Sequence, residues 1–275
     1  MEITLWVLGV VIVLLWIFLH PASCTAAQRA QMEGVNHAHR GLHTRDKSVP
    51  ENSLPAFRAA ADAGYGIELD IQLSKDGQVV VFHDDTLDRV CGVHGRVDAF
   101  TLDELRAMRL CGTQESIPLL TEVFAVVGGR VPLIIELKTG PRRAELCEKG
   151  LALMRAYSGP YCIESFDPRI VCWFRKNAPD ILRGQLTDSC ANFWKGSEPR
   201  MHGLALGTLV TNVLARPQFI AHGPGGKNLL AQLGEAGALH VCWTVRDNDA
   251  ITKKQADNDA VIFEFYHPQT NYLRR

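Results

Sequence analysis

The sequence predicts an α/β fold in which eight parallel strands and their helices close into a (β/α)8 barrel. Short apolar runs alternate with amphipathic stretches along most of the 275 residues, a pattern typical of parallel strands joined by helices. A barrel of this kind takes about 250 residues as a single domain, and a hydrophobic content of 47% is sufficient for its core. We therefore expect one barrel domain over residues 35–275.

The chain begins with an uninterrupted apolar run over residues 3–19. These 17 residues reach the lower limit of about 17–25 for a spanning helix, so we expect a transmembrane anchor over residues 1–20. A cleaved signal peptide is the alternative, because small residues follow at 22–23. Glu2 precedes the run where a signal peptide has Lys or Arg, which favours an uncleaved anchor.

The barrel is expected on the cytoplasmic side of a membrane that the chain crosses once. Arg29 and Arg40 follow the apolar run and no Lys or Arg precedes it, which predicts this orientation by the positive-inside rule. The eight cysteines show no C-x-x-C pair and several lie in apolar runs, so reduced thiols are expected, although an even number leaves disulfides open. Residues 21–34 are predicted to be a polar linker.

The charge balance argues against nucleic acid as a partner. The formal net charge is −1, which provides no general attraction to a polyanion. No basic run with interleaved aromatic residues occurs in the sequence. We therefore expect no nucleic-acid binding.

Nine runs have the composition of strands, one more than the barrel needs. They are Val35–His37, Gly66–Leu73, Val79–His83, Pro132–Lys138, Tyr161–Phe166, Leu182–Leu186, Phe219–Ala221, Leu239–Val245 and Ala260–Phe265. Residues 74–77 have the composition of a tight turn between two close strands, so one strand of that pair is expected to be the extra one. Helices are predicted over Ser53–Ala63, Leu102–Met108, Arg142–Ala156, Pro168–Asn177, Leu229–Ala236 and Asp247–Gln255.

Three acidic residues stand at the ends of predicted strands, where barrel enzymes carry their reactive groups. Glu68 and Asp70 are separated by one residue, so their side chains point to the same face of the strand. A solvated strand end is the simpler interpretation of such a pair. The apolar residues on either side indicate a buried strand, however, and buried carboxylates need a cation. With Glu136 on a later strand, they predict a site for a hard cation.

Two histidines and two basic residues accompany these acids. His39 and Arg40 follow the first strand, His83 ends the third, and Lys138 lies on the same face as Glu136. Taken singly, each has an ordinary structural interpretation. Together they supply imidazoles for proton transfer and cations for a phosphate group, which indicates a metal-dependent phosphodiesterase.

The motifs around these residues resemble those of the glycerophosphodiester phosphodiesterase family. In chain order they are His39-Arg40-Gly41, Pro50-Glu51-Asn52-Ser53, Glu68-Leu69-Asp70, Val81-Phe82-His83-Asp84, Leu87-Asp88-Arg89, Glu136-Leu137-Lys138, Ser165-Phe166 and Trp243-Thr244-Val245. The resemblance covers about residues 35–268. It implies a TIM-type barrel with a small insertion after the third strand, at about residues 91–114. It also implies hydrolysis of a glycerophosphodiester to glycerol 3-phosphate and an alcohol.

The resemblance also implies a divalent cofactor, Mg²⁺ or Ca²⁺, held by Glu68, Asp70 and Glu136. Ligation by oxygen alone suits such hard cations. In this family, a hydroxyl of the substrate's own glycerol is thought to attack phosphorus and form a cyclic phosphate that water then opens.

The remaining roles are carried over in the same way. The resemblance implies that His39 and His83 act as general base and general acid. Arg40 and Lys138 are expected to bind the non-bridging phosphate oxygens, and Trp243 to contact the substrate.

The chain departs from the family at its last strand. Many members carry Ile-Thr-Asp-x-Pro there, whereas this chain has Ile-Phe-Glu-Phe-Tyr-His-Pro over residues 262–268. A contribution of this strand to the site is therefore not predicted. Glu164, just before the Ser165-Phe166 motif, is interpreted as a polar strand residue, with an additional acid near the site as the alternative.

Three other functions are compatible with parts of the sequence. A lysophospholipase D acting on membrane lysophospholipids would also use a membrane anchor. The spacing of His37 and His39 imitates the metal pair of amidohydrolase barrels, but acids rather than histidines follow at the later strand ends. A catalytically inactive, membrane-tethered binding barrel is disfavoured because no expected catalytic position is lost.

Overall fold

A computed structural model describes residues 2–196, 199–246 and 248–272 of the chain. Within these ranges, eight parallel strands close into a barrel by the pairing of the first strand with the second. Met1, residues 197–198, Asp247 and residues 273–275 lie outside the described residues. The strands are β1 (Val35–His39), β2 (Gly66–Leu73), β3 (Val79–Val81), β4 (Leu133–Leu137), β5 (Tyr161–Ser165), β6 (Arg183–Thr187), β7 (Phe219–His222), β8 (Leu239–Val245) and β9 (Ala260–Phe263).

The ninth strand is β3, which pairs antiparallel with the end of β2 through Ile71–Val81 and Leu73–Val79. The connecting turn is closed by the Ser74 amide, which donates to the Gln78 carbonyl at 3.0 Å. Gly77 in this turn has φ +78°, a conformation that favours glycine. The predicted TIM-type (β/α)8 barrel with one additional strand is thus confirmed.

Helices cover the outside of the barrel and its loops. They are α1 (Glu2–Leu19), α2 (Ala26–Ala30), α3 (Leu54–Asp62), α4 (Asp88–Cys91), α5 (Leu102–Ala107), α6 (Leu120–Val127), α7 (Arg143–Arg155), α8 (Pro168–Asn177), α9 (Cys190–Lys195), α10 (Arg200–Gly207), α11 (Asn212–Ala215), α12 (Leu229–Glu235) and α13 (Asn248–Asp257). Six of them occupy stretches that the sequence predicts as helical, apart from the terminal residues. The sequence did not predict the short helices α2 and α4, nor α6 and the three helices α9–α11.

The strands alternate between two apolar layers because successive side chains point to opposite faces. One layer lies between sheet and helices and includes Phe57, Leu69 and Phe174. The other fills the barrel interior and includes Ile134 and Phe219. Interior glycines make room for large neighbours: a Cβ at position 184 would lie 2.0 Å from the Phe219 ring.

The region between β3 and α6 forms a small subdomain on the barrel. It contains α4, α5 and two single 3-10 turns at 97–99 and 110–112. Its apolar side chains pack into a separate cluster that includes Phe82, Val90 and Leu105. This region contains the stretch that the family resemblance implies as an insertion.

The N-terminal apolar run forms α1, but the transmembrane anchor predicted over residues 1–20 is not supported. In the part of the chain that the structure describes, no helix combines the length and the apolar character that a bilayer crossing requires.

Residues 21–34, the predicted linker, pack against the N-terminal ends of the strands. Met32 is fully buried within the interior apolar cluster of the barrel. The Gln28 amide donates to the Asp180 carbonyl at 2.8 Å and accepts from Gln218 at 3.0 Å. This segment therefore closes the end of the barrel opposite the site described below.

All eight cysteines carry free thiols.

Candidate active site

Three buried carboxylates meet at the C-terminal ends of β2 and β4. Glu68 and Asp70 share one face of β2, and Asp70 lies directly opposite Glu136 of β4 in the strand register. The exposed fractions of the three residues are 3%, 0% and 7%. One oxygen from each carboxylate lies within 4.8 Å of the others. The structure thus brings together the three acids that the sequence selects as metal ligands.

The electrostatics of this cluster favour a bound cation. Burial raises the pKa of both Glu68 and Glu136. Burial also acts to raise the pKa of Asp70, but the nearby charges of His83, Lys138 and Arg40 outweigh it, so that pKa is lowered. The oxygen-only donor set fits a hard divalent ion, and such an ion would offset the cost of burying these charges.

Two basic side chains border the acids. The Lys138 ammonium lies 2.8 Å from Glu136 Oε1 and 3.4 Å from Asp70 Oδ1. Burial lowers the pKa of Lys138, but the two carboxylates more than compensate and raise it. The Arg40 guanidinium lies 3.5 Å from Asp70 Oδ2 and donates to Glu51 at 2.6 Å. Both groups therefore remain cationic beside the carboxylates.

The loop after β1 adopts an unusual backbone that directs Arg40 into the site. Arg40 has φ +55° and Gly41 has φ +80°. A Cβ at Gly41 would lie 2.8 Å from the backbone of Ala56 in α3, so a side chain cannot fit there. The Arg40 amide donates to Glu68 Oε2 at 3.1 Å, which ties the loop to the acid cluster. The His-Arg-Gly motif thus has a steric basis.

His39 ends β1, and its ring lies between two carboxylates. Its Nδ1 atom is 3.3 Å from Glu264 Oε1, and its Nε2 atom is 3.9 Å from Glu68 Oε2. Burial lowers the pKa of His39 to about 4, so the ring is neutral near pH 7. In a neutral ring that donates from Nδ1 to Glu264, Nε2 is free to accept a proton.

Glu264 is a residue of the site that sequence analysis missed. It follows β9 and accepts contacts on both oxygens: His43 Nε2 lies 3.0 Å from Oε1, and Arg246 Nε donates to Oε2 at 2.5 Å. Burial acts to raise the pKa of this carboxyl, but its bonds to His39 and His43 hold the pKa well below the usual range. Its position just after a barrel strand was the signal that could have identified it.

His83 reaches the site from the extra strand rather than from a barrel strand. Because β3 runs back along β2, the Phe82 amide donates to the Asp70 carbonyl at 3.0 Å. This contact places His83 beside the acid cluster. The sequence places His83 at the end of the predicted strand Val79–His83, whereas the observed strand ends at Val81 and is the additional, antiparallel one.

A chain of polar contacts connects His83 to Arg40. His83 Nδ1 lies 2.6 Å from Asp84 Oδ1, and Arg89 donates to both oxygens of Asp84 at 2.6 and 2.9 Å. Arg89 also donates to both oxygens of Glu51, at 2.7 and 2.8 Å. Since Glu51 accepts from Arg40, one network fixes both loops.

Glu164 and Trp243 lie on the other strands of the barrel mouth. Glu164 is directly opposite Glu136 in the register and is 1% exposed, and its Oε2 atom has no hydrogen-bond partner among the residues that the structure describes. This supports the alternative interpretation, an additional acid next to the site. The Trp243 indole donates to the Ala221 carbonyl at 2.9 Å, and its ring packs edge-on against Phe166 at 5.7 Å. Because the indole N–H is already bonded, Trp243 can offer a substrate only the apolar surface of its ring.

His37 does not join a metal-ligand group. It is 1% exposed in the barrel interior, where Gly66 provides the space for its ring. Among the described residues, the groups of side chains that could hold a metal ion do not include it. The amidohydrolase interpretation is therefore not supported.

Comparison with known protein families identifies relatives of this chain. Residues 39–267 match the model of the Glycerophosphoryl diester phosphodiesterase family. A putative glycerophosphodiester phosphodiesterase of Bacillus subtilis, YhdW, is 31% identical over 238 residues, which are 83% of this chain and 93% of that protein. A glycerophosphodiester phosphodiesterase of Caldanaerobacter subterraneus is 44% identical over 113 residues, but these cover only 38% of this chain and 44% of that relative.

Solved structures share the fold. A glycerophosphodiester phosphodiesterase from Thermotoga maritima superposes with a TM-score of 0.62 at 27% identity, over 83% of this chain and 93% of that one. A phosphodiesterase from Oleispira antarctica, solved with the product sn-glycerol-3-phosphate, has a TM-score of 0.67 at 24% identity, over 84% and 93% of the two chains. At that identity, the second likeness concerns the fold alone.

Proposed function

This chain belongs to the glycerophosphoryl diester phosphodiesterase family and is a phosphodiesterase, and we propose that it hydrolyses glycerophosphodiesters to glycerol 3-phosphate and an alcohol. The proposal includes a divalent cation as cofactor and the two histidines as proton-transfer groups. The observation that carries it is the arrangement of three buried carboxylates, two imidazoles and two cationic side chains around one barrel mouth.

We propose that Glu68, Asp70 and Glu136 hold the cation, Mg²⁺ or Ca²⁺. When bound, such an ion neutralises phosphate charge and orients the substrate. The surplus of buried negative charge supports this assignment, because Arg40 and Lys138 balance only two of the three carboxylates. In the described part of the chain, the ligand oxygens of this group are close enough to share one ion.

The protein's own groups supply the remaining chemistry. His39, neutral because it is buried, takes the proton of the attacking hydroxyl on Nε2, while Nδ1 stays bonded to Glu264. His83 gives a proton to the leaving alkoxide, and Asp84 stabilises its charged form from 2.6 Å. Arg40 and Lys138 bind the non-bridging oxygens and stabilise the charge that develops on phosphorus.

The direct test is an assay of the full chain with glycerophosphocholine and glycerophosphoethanolamine, with glycerol 3-phosphate as the measured product. We expect turnover with Mg²⁺ or Ca²⁺ and none in excess chelator. Glu136→Gln should abolish turnover, whereas Glu148→Gln, at an exposed site on α7, should not. Absence of glycerol 3-phosphate with either substrate and either metal would refute the proposal.

Lysophospholipids are the comparison substrates in the same assay. A chain that released lysophosphatidic acid from them, and no glycerol 3-phosphate from the two water-soluble diesters, would be a lysophospholipase D instead. This second reaction uses the same acids and histidines, so the variants would lose it in the same way.

A membrane location is a separate proposal, which rests on the surface of α1. The five consecutive residues Val10–Leu14 are all exposed, so apolar side chains point outward on all sides of the helix. The other end of α1 is attached to the barrel, since the Leu19 carbonyl accepts from Asn212 at 3.0 Å. We propose that this helix inserts into a bilayer and holds the barrel on its cytoplasmic side.

Flotation with lipid vesicles tests this proposal. The full chain should float, and Val10→Lys combined with Leu14→Lys should prevent it, because each lysine costs about 2.5–3.5 kcal/mol within a bilayer. Leu229→Lys, at an apolar residue on α12 that is 82% exposed, is the control and should still float. Digestion of the barrel by protease added to intact cells would refute the cytoplasmic side.

A further inference from the structure

A second group of potential metal ligands lies beside the first, on the opposite side of His39. It consists of His39 at the end of β1, His43 in the following loop and Glu264 after β9. One potential ligand atom from each residue lies within 4.8 Å of the other two. His39 Nδ1 and His43 Nε2 face the same carboxylate oxygen, Glu264 Oε1, at 3.3 and 3.0 Å.

The two distances to Glu264 Oε1 are close to those between ligand atoms around a small tetrahedral ion. Zinc lies about 2.0–2.1 Å from nitrogen and oxygen ligands, so neighbouring ligand atoms in a tetrahedron are about 3.3–3.4 Å apart. The two measured distances need to change by no more than about 0.4 Å to reach that value. The contacts of both histidines with Glu264 therefore need little rearrangement for an ion to enter.

The surroundings provide what a zinc site needs beyond its ligands. Arg246 donates to the other oxygen of Glu264 at 2.5 Å, which holds the carboxylate and leaves Oε1 for the ion. The side chains of His43 and Glu264 are each only 7% exposed. A cavity of about 220 Å³ borders the group at His43 and is lined also by Arg45 and His267, among others.

We propose that His39, His43 and Glu264 form a second metal site, selective for Zn²⁺ and similar transition-metal ions. Two imidazoles and one carboxylate are a typical donor set for Zn²⁺ with an open fourth position. Mg²⁺ and Ca²⁺ prefer oxygen ligands and would occupy the cluster of Glu68, Asp70 and Glu136 instead. The two sites would thus separate hard from borderline cations.

The consequence of zinc binding is inhibition, and this step rests on the proposed function of His39 as a base. A metal ion bound at Nδ1 displaces the proton that this atom donates to Glu264. The neutral ring then carries its hydrogen on Nε2 and has no lone pair with which to accept the proton of a substrate hydroxyl. Zinc should therefore stop turnover even when the carboxylate site is saturated with Mg²⁺.

The test uses His43→Gln in the full chain. The glutamine amide retains a donor toward Glu264 but is a poor zinc ligand. Turnover of this variant with Mg²⁺ alone should therefore stay within about twofold of the wild-type value, whereas the loss of a catalytic acid or base costs about 10²–10⁴-fold. His94→Gln, at a side chain that is 98% exposed, is the matched control. Zinc binding is measured by titration calorimetry in saturating Mg²⁺, and inhibition is measured in the same buffer.

We expect the wild type and His94→Gln to bind one Zn²⁺ and to be inhibited by it. His43→Gln should bind it at least about 10-fold more weakly, since even loss of an outer-shell partner costs 10–100-fold in metal affinity. Equal binding and inhibition in all three proteins would overturn the proposal, because zinc would then be acting at the carboxylates. Binding that depends on His43 but leaves turnover unchanged would support the site and refute His39 as the base.

X-ray absorption at the zinc edge supplies a measurement that needs no variant. The wild-type enzyme loaded with one Zn²⁺ in saturating Mg²⁺ should show scattering from two imidazole rings. A zinc ion surrounded by oxygen ligands alone would overturn the proposal. This result would hold even if the His43→Gln variant failed to fold.

Discussion

Replacement of Glu264 by glutamine should alter the protonation of His39 without changing the shape of the site. Both carboxylate oxygens act as acceptors here, Oε1 toward His39 and His43 and Oε2 toward Arg246. An amide has only one acceptor. The arginine is always charged and can only donate, so the amide oxygen should turn toward Arg246 and present its NH2 group to His39.

The size of the effect follows from the tautomer that this arrangement selects. Opposite an NH2 group, His39 accepts on Nδ1 and carries its hydrogen on Nε2, so it cannot act as a base. Loss of a positioned base costs about 10²–10⁴-fold in rate, and the comparable Asp→Asn change in a Ser-His-Asp triad costs about 10⁴-fold. We expect kcat to fall by about 10³-fold, or about 4 kcal/mol in the barrier, with KM nearly unchanged.

The assay is steady-state hydrolysis of glycerophosphocholine by Glu264→Gln, with thermal unfolding as the check on folding. Glu264→Asp retains a carboxylate and should recover a large part of the loss. Glu235→Gln is the control, because Glu235 is also 7% exposed and also pairs with a cation, Lys227, away from the site. The expected loss of kcat in Glu264→Gln is about 10²–10⁴-fold. A kcat for this variant within about threefold of the kcat of Glu235→Gln would refute the reasoning.

Three further predictions concern the metal, the histidines and the buried acid. Removal of divalent cations should abolish turnover, and their return at 100 times Kd should stabilise the fold by about 2.7 kcal/mol in calorimetry; full turnover in chelator by metal-free protein would contradict this. His39→Ala and His83→Ala should each lower kcat by about 10²–10⁴-fold, and the double variant should be far from multiplicative in the same assay. Burial raises the pKa of Glu164 in the folded protein above its value in the unfolded chain. The folded protein is therefore most stable below the unfolded-state pKa, where the carboxyl is protonated in both states. This stability is lost as the pH rises through the folded-state pKa. Metal-free Glu164→Gln should therefore match the wild type in urea unfolding at pH 4 and exceed it by at least about 1 kcal/mol at pH 8; an equal difference at both pH values would contradict this.

The strands were predictable because a barrel strand carries its own signal. Runs such as Ile67–Ile71 and Leu133–Leu137 are buried on both faces, so their apolar composition is visible without knowledge of any partner. The three helices between β6 and β7 carry no such signal. They have 6, 8 and 4 residues, and exposed apolar side chains such as Met201 and Leu214 obscure the helical period.

The residues that contact one another within a motif were also predictable, but long-range partners were not. Glu68 and Asp70 share a strand face by their spacing alone. Glu264 meets His39 across 225 positions of the chain and His43 across 221. That contact exists only because β9 pairs with β1 when the barrel closes, and the divergent residues around Glu264 concealed it.

The structure also provides a physical reason for the different roles that the family resemblance implies for the two histidines. Each has its Nδ1 atom against a carboxylate, at 3.3 Å from Glu264 for His39 and 2.6 Å from Asp84 for His83, so each directs Nε2 away from its carboxylate partner. Their surroundings differ, because the His39 side chain is 13% exposed and that of His83 is 32% exposed. Burial lowers the pKa of His39 to about 4, and a ring that rests neutral suits a base. Asp84, closer and braced by Arg89, stabilises an imidazolium at position 83, which suits an acid. The difference in environment therefore supports the assignment of His39 as base and His83 as acid, which the sequence analysis took from the family resemblance alone.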